Sequence, residues 1–151
     1  MPSKYKFKGK KMEINYYSLD EAIKIKPTNE TALISLIDPE LEGEFEFDTW
    51  KYRLQLCFDD VDDANDGIAF NSKMAKSVIE FNNALPQQVN HIIIHCVAGI
   101  SRSSAVTKFL TKYIYPDCFN TQFDVEYQQF NQLVYNRLCF TWDKIVKAKK
   151  V

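Results

Sequence analysis

The sequence predicts an α/β fold, a mainly parallel central sheet flanked by helices on both faces. Short apolar runs at residues 31–37, 50–58 and 91–96 read as strands, and stretches with 3.6-residue periodicity alternate with them. A length of 151 residues suits one domain, and no repeat, low-complexity tract or Pro/Gly-rich linker divides 1–151. A content of 46% hydrophobic and 26% charged residues is enough to build a core, which excludes a disordered chain.

Taken in order, Ser18 followed by Glu21 is a capping-box pattern that opens a short helix through about Ile25, closed by Pro27. Thr31 to Ile37 is a continuous apolar run ended by Asp38-Pro39, as expected of a buried strand and a turn. In the next strand Trp50, Tyr52, Leu54, Leu56 and Phe58 alternate with polar positions, which predicts one core-facing side and then an acidic loop. Met74, Val78, Phe81 and Leu85, widened by Ala75 and Ile79, predict an amphipathic helix over 72–85. The β-branched run His91 to Cys96 suits the centre of a parallel sheet. Ala105, Val106, Phe109, Leu110 and Tyr113 then mark a helix that Pro116 stops soon after Ile114. Thr121 with Asp124 predicts another helix start with Phe123, Tyr127, Phe130 and Val134 as its buried stripe, and 141–148 is a last helical segment.

A formal net charge of -1 leaves no basic field that would favour nucleic acid or an anionic membrane surface. The exception is local: Lys4, Lys6, Lys8, Lys10 and Lys11 alternate with Tyr5 and Phe7, so 1–11 reads as a basic tail or as an edge strand with a solvated face. No stretch has the length or apolarity of a membrane span or a secretory leader, so a cytoplasmic location without membrane insertion is expected. Cys57, Cys96, Cys118 and Cys139 show no close pairing, and reduced thiols are the expectation for a chain with this much core.

The chemistry concentrates in His95-Cys96-Val97-Ala98-Gly99-Ile100-Ser101-Arg102-Ser103, which falls between a predicted strand and a predicted helix. A tight turn there aims the backbone N–H groups of Val97 to Arg102 inward, and the following helix adds the positive end of its dipole, making an anion cradle. Gly99 permits a conformation that a side chain would obstruct. Arg102 offers a planar fork for two phosphate oxygens, a geometry Lys cannot reproduce. The same donors favour thiolate over thiol at Cys96, the form a nucleophile needs. Alone after three isoleucines, Cys96 would read as a core cysteine; His95, Gly99, Arg102 and Ser103 at fixed offsets favour the nucleophile.

His-Cys, five residues and then Arg-Ser resembles the signature of the protein tyrosine phosphatase superfamily, and HCVAGISRS is most similar to its dual-specificity branch. The resemblance covers about 91–114; the flanks match in element order and size. It implies the fold of the cysteine-dependent phosphatases and a phosphocysteine intermediate on Cys96. It also implies phosphoryl binding by Arg102, assistance by Ser103 as the thiolate leaves, and support by His95 of the loop and of a low thiol pKa. It implies no metal and no cofactor. His91 and His95 share one strand without a second ligand cluster, and His91 reads as an ordinary strand-end residue.

The same resemblance implies an Asp on a separate loop as general acid, with Asp59, Asp60, Asp62, Asp63 and Asp66 as candidates. In similar proteins the acid stands two positions after the last apolar strand residue, here Phe58, which selects Asp60 with Asp59 second. Because both loops follow strand ends, the sheet's carboxyl edge can bring them together. Most of this cluster reads as a solvated turn, and an EF-hand loop starting at Asp62 fails at Ala64 and Lys73. Cys57 has two readings, a core residue or an oxidation partner for Cys96, whereas Cys118 and Cys139 read as structural. Uncharged Val97, Ala98 and Ile100 and the Ser101/Ser103 pair point, by resemblance, to a phosphorylated protein as substrate. Phosphotyrosine is favoured, with phosphoserine and phosphothreonine as further esters. An RNA 5′-phosphatase, another small-ester phosphatase and a non-catalytic phosphate-binding module are the alternatives.

Overall fold

Ile92, Ile93 and Ile94 fill the middle of the sheet with almost no exposed surface, since both faces of their strand are covered. In the computed structural model, which describes residues 12–118 and 129–149, that strand is β4 (His91–His95). β1 (Glu13–Tyr17), β2 (Thr31–Ile37) and β3 (Tyr52–Cys57) join it in the order β1-β4-β2-β3, every pairing parallel. The α/β class thus holds, and parallel pairing puts all four carboxyl ends on one edge. At that edge lie Ser18 after β1, Asp38 after β2, Asp59 and Asp60 after β3, and Cys96 after β4.

The two faces are covered unequally. Ala32, Ile34, Leu36, Ile92 and Ile94 pack with residues of α2 (Ser72–Asn83), α3 (Arg102–Phe109) and α4 (Gln132–Ala148) in the larger core. On the other face Leu33, Ile93 and Trp50 form a smaller cluster with Tyr17, Ile25 and Phe47. The expected helical layer is reduced there to α1 (Leu19–Ala22) and irregular chain, because helical periodicity is missing between Asp38 and Trp50.

α1 has the predicted capping box: Glu21 N–H donates to Ser18 Oγ at 3.2 Å and Ser18 N–H to Glu21 Oε1 at 2.9 Å. It ends after four residues, short of the expected Ile25. Trp50 precedes β3 and packs on the opposite face from Tyr52, Leu54 and Leu56, so the alternation it was expected to share starts at Tyr52. α3 widens into a π-type turn over Leu110–Ile114, where Tyr115 N–H reaches the Leu110 carbonyl at 2.7 Å. Pro116 follows, as expected of a stop. Phe130 was expected inside a helix; it lies just before α4, whose N-cap is Asn131, and 141–148 continues that same helix. The predicted start at Thr121, its stripe residues Phe123 and Tyr127, and the basic 1–11 lie outside the described residues. β1 was not predicted, because its alternation lasts only from Glu13 to Tyr16 before Tyr17 breaks it. Among the described residues no helix is long and apolar enough to cross a membrane.

Candidate active site

Cys96 sits where β4 ends, its side chain turned into the larger core and almost fully buried. The chain then curls back, so that Gly99 N–H donates to Cys96 Sγ at 3.2 Å and Ser103 Oγ lies 3.1 Å from the same sulfur. Gly99 has φ +74°, and a Cβ there would stand 2.7 Å from the Tyr17 carbonyl carbon and collide with Ser18 N. The close approach is a clasp: Cys96 N–H donates to Tyr17 O at 3.3 Å and Leu19 N–H to Val97 O at 3.1 Å. Val97 is therefore half-buried under α1, while Ala98 and Ile100 face outward. The Ser101 carbonyl accepts from Ala105 N–H at 3.2 Å and from Asn131 N–H at 2.9 Å, anchoring the loop to α3 and to the start of α4.

Arg102, the first residue of α3, is 4% exposed. One terminal nitrogen, Nη1, donates to the Phe58 carbonyl at 2.8 Å and to Asp38 Oδ1 at 2.8 Å. Its Nε is buried without a hydrogen-bond partner, an uncommon condition for a charged group's donor. Asp38 was missed in the sequence; its position at the carboxyl end of a predicted strand was the available signal.

His95 anchors Cys96 from behind. Its Nδ1 lies 3.3 Å from the Cys96 carbonyl and its Nε2 2.7 Å from Ser35 Oγ. A carbonyl only accepts, so Nδ1 carries the proton and Nε2 accepts from the Ser35 hydroxyl. Gln55 Nε2 donates to Ser35 Oγ at 3.2 Å and closes the chain. Burial pushes the His95 pKa down to about 4; the Arg102 charge adds to this and the bond to the Cys96 carbonyl opposes it. The ring is thus neutral at pH 7, and His95 supports the loop through hydrogen bonds instead of charge.

The acidic loop separates its members. Asp59 is built into its own turn: its N–H donates to Ile68 O at 2.7 Å and its Oδ2 accepts from Ile68 N–H at 2.8 Å. Asp60 faces the Cys96–Ser103 loop instead, its Oδ1 accepting from Ser101 Oγ at 2.9 Å and from Asn131 Nδ2 at 2.8 Å. Asp62, Asp63 and Asp66 are exposed farther along. Cys96, Arg102, Ser103, His95 and Asp60 are thus brought to one place.

Cys57 does not share it. β2 lies between β3 and β4, two spacings of about 4.8 Å each, and alternation puts Cys57 with Arg53 and Gln55 on the face away from Cys96. A disulfide tolerates Cα atoms no more than about 7 Å apart, so the oxidation pairing with Cys96 is corrected on geometry. All four cysteines are free. Cys118 and Cys139 pack against the larger core. Scans against protein-family models, curated proteins and solved structures found no match to this chain.

Proposed function

We propose that this chain is a phosphatase that cleaves phosphate monoesters on protein through a covalent phosphocysteine. The observation that carries it is Cys96 Sγ under a curled backbone, with Gly99 N–H donating to the sulfur, Ser103 Oγ 3.1 Å from it, and Arg102 Nε, at the end of the same loop, buried without a partner. A buried guanidinium nitrogen without a partner is what a phosphoryl oxygen would satisfy.

In the first step Sγ attacks phosphorus, the S–P bond forms, and the bond to the ester oxygen breaks. Protonated Asp60 gives its proton to that oxygen, which leaves as an alcohol or phenol. In the second step Asp60 takes a proton from water as the water oxygen bonds phosphorus, and the S–P bond breaks. The Ser103 hydroxyl stabilises the departing thiolate from 3.1 Å.

Charge supports protein over a polyanion as substrate. Asp38 and Asp60 bond directly to the cradle, and the segments they open, Asp38 to Asp48 and Asp59 to Asp66, carry acids without any Lys or Arg. Acids at the loop disfavour RNA and phosphoinositide headgroups and favour a phosphorylated peptide with basic neighbours. A non-catalytic binding module is the second reading, and the intact Cys96, Arg102 and Ser103 set disfavours it.

The test is hydrolysis of a simple aryl phosphate without added metal, with vanadate as inhibitor, then a panel of phosphotyrosyl peptide, phosphoseryl peptide, triphosphate-ended RNA and phosphoinositide. Cys96→Ser is expected to lose roughly 10⁶-fold in kcat, as removal of a covalent nucleophile does in hydrolases. Turnover by Cys96→Ser near the parent's would end the covalent mechanism, and binding without release of phosphate would select the second reading.

A further inference from the structure

We propose that Asn131 is a positioning residue for the reaction, fixing which oxygen of Asp60 delivers the proton; this rests on the general-acid role given to Asp60 above. Asn131 is buried and makes hydrogen bonds to three separate parts of the chain. Its N–H donates to Ser101 O at 2.9 Å, in the phosphate loop. Its Oδ1 accepts from Val134 N–H at 3.0 Å, as the N-cap of α4. Its Nδ2 donates to Asp60 Oδ1 at 2.8 Å and to Val61 O at 3.0 Å, in the acidic loop.

The orientation of the amide follows from the cap. Val134 N–H can only donate, so the atom facing it is the carbonyl oxygen and the atom facing Asp60 is the NH₂ group. The backbone direction is also held: Phe130, one residue before the cap, packs edge-on against Tyr135 with ring centroids 5.3 Å apart, a hydrophobic staple. Lys108 Nζ lies over the Phe130 ring, 4.0 Å from its centroid. Asn131 is therefore a fixed donor, set by α4.

Two donors converge on one carboxylate oxygen, since Ser101 Oγ reaches Asp60 Oδ1 at 2.9 Å from the phosphate loop. An oxygen that accepts two hydrogen bonds has little capacity left to hold a proton of its own. The acid's proton then resides on Oδ2. A general acid acts only within hydrogen-bond reach of the oxygen it protonates. Ser101 and Asn131 thus register an exposed aspartate against the cradle that holds the ester, where an unanchored side chain would sample many rotamers.

The experiment separates this role from helix capping. In Asn131→Ser the cap survives, because Ser is a comparable N-cap residue, but the NH₂ donor to Asp60 is gone. The melting temperature is expected to stay within a few degrees of the parent. The kcat for a phosphotyrosyl peptide, whose leaving group needs a proton, should fall by about 10- to 100-fold, while an aryl phosphate with an acidic leaving group keeps a rate within about twofold. Introduced into an Asp60→Ala chain, Asn131→Ser should cost nothing further, because the group it positions is gone. Equal losses on both esters, or the same loss with and without the Asp60 carboxylate, would overturn the proposal. An Asp60→Ala chain with the parent's rate would overturn it together with the general-acid role, and that arm is read separately.

Discussion

The loops that follow β4 and β3 are built in opposite ways. The first is made by nine consecutive residues, His95 to Ser103, which bond to one another across the turn: Gly99 N–H to Cys96 Sγ, and Ser103 Oγ to the same sulfur. The second is closed at its root, where Asp59 and Ile68 bond to each other twice, and has short turns at Asp59–Val61 and Asp63–Asp66, none of which holds the Asp60 side chain. The side chain of Asp60, the proposed general acid, takes its position from Ser101 and Asn131, 41 and 71 positions away. Chemistry written in one short segment can be read from that segment. Chemistry assembled from distant segments depends on the register of the whole fold.

The sharpest way to break this contrast is to exchange the two neighbouring aspartates. Asp60→Ala is expected to lose about 10² to 10⁴ in kcat on esters with poor leaving groups and much less on those with acidic ones. Asp59→Ala removes a hydrogen bond within the turn, worth about 1 kcal/mol of stability, and leaves the carboxylate at Asp60 in place. If kinetics on a phosphotyrosyl peptide gave the large loss to Asp59→Ala and none to Asp60→Ala, the assignment of the acid would be reversed.

His95 ties the self-contained loop to the core, and its titration tests that tie. The unfolded chain takes up a proton near the ordinary pKa of 6.5, whereas the folded chain resists until about 4. Folding stability from this group is therefore complete above about pH 6.5 and lost as pH falls to about 4. The total is about 3 kcal/mol for a shift of this size. Denaturant titrations of the parent and His95→Asn should converge across that window, because the carboxylates that titrate there are common to both chains. Curves that run parallel would show that His95 is not held neutral.

Each loop also has one glycine in the left-handed region, and their surroundings differ as the loops do. A Cβ at Gly99 meets the backbone of Tyr17 and Ser18, which cannot withdraw without opening the clasp, while one at Gly67, φ +46°, meets the end of the Asp59 side chain at 2.5 Å. Gly99→Ala should cost more than the roughly 1 to 3 kcal/mol of strain at an unfavourable φ, and take activity with it. Gly67→Ala should stay near the lower end of that range, since a side chain can turn aside. Equal melting temperatures for the two variants would remove the distinction between a loop clamped by backbone and one closed by a side chain.

What could be read in advance follows the same division. Strands β2, β3 and β4 and the capping box at Ser18 came from periodicity and local chemistry, and the cradle from nine contiguous residues. Asp60 came from its distance to Phe58 and its resemblance to a known pattern, without a contact to support it. Asn131, Asp38, Ser35 and Gln55 were not legible. Each acts on a residue at least 20 positions away, and nothing in an Asn before an apolar stripe distinguishes a helix cap from a cap that also holds a carboxylate.

Asp38 gives the smallest expected effect, on the one ion pair that joins the cradle to the end of β2. Its Oδ1 lies 2.8 Å from Arg102 Nη1, and that nitrogen also serves Phe58 O, so the guanidinium is held from one end while Nε is left without a partner. If Asp38 positions the fork, Asp38→Ala should weaken vanadate binding roughly tenfold, the equivalent of a charged hydrogen bond worth about 1 to 2 kcal/mol. The pair is partly open to solvent, its Asp side chain 30% exposed, so a value at the lower end is expected. Asp38→Asn keeps an acceptor in place and should recover most of the loss. If Asp38 instead competes with the phosphoryl group for Arg102, both variants would bind vanadate more tightly than the parent, Ala as well as Asn. Inhibition constants for the two substitutions therefore decide between a carboxylate that aims the arginine and one that must be displaced from it.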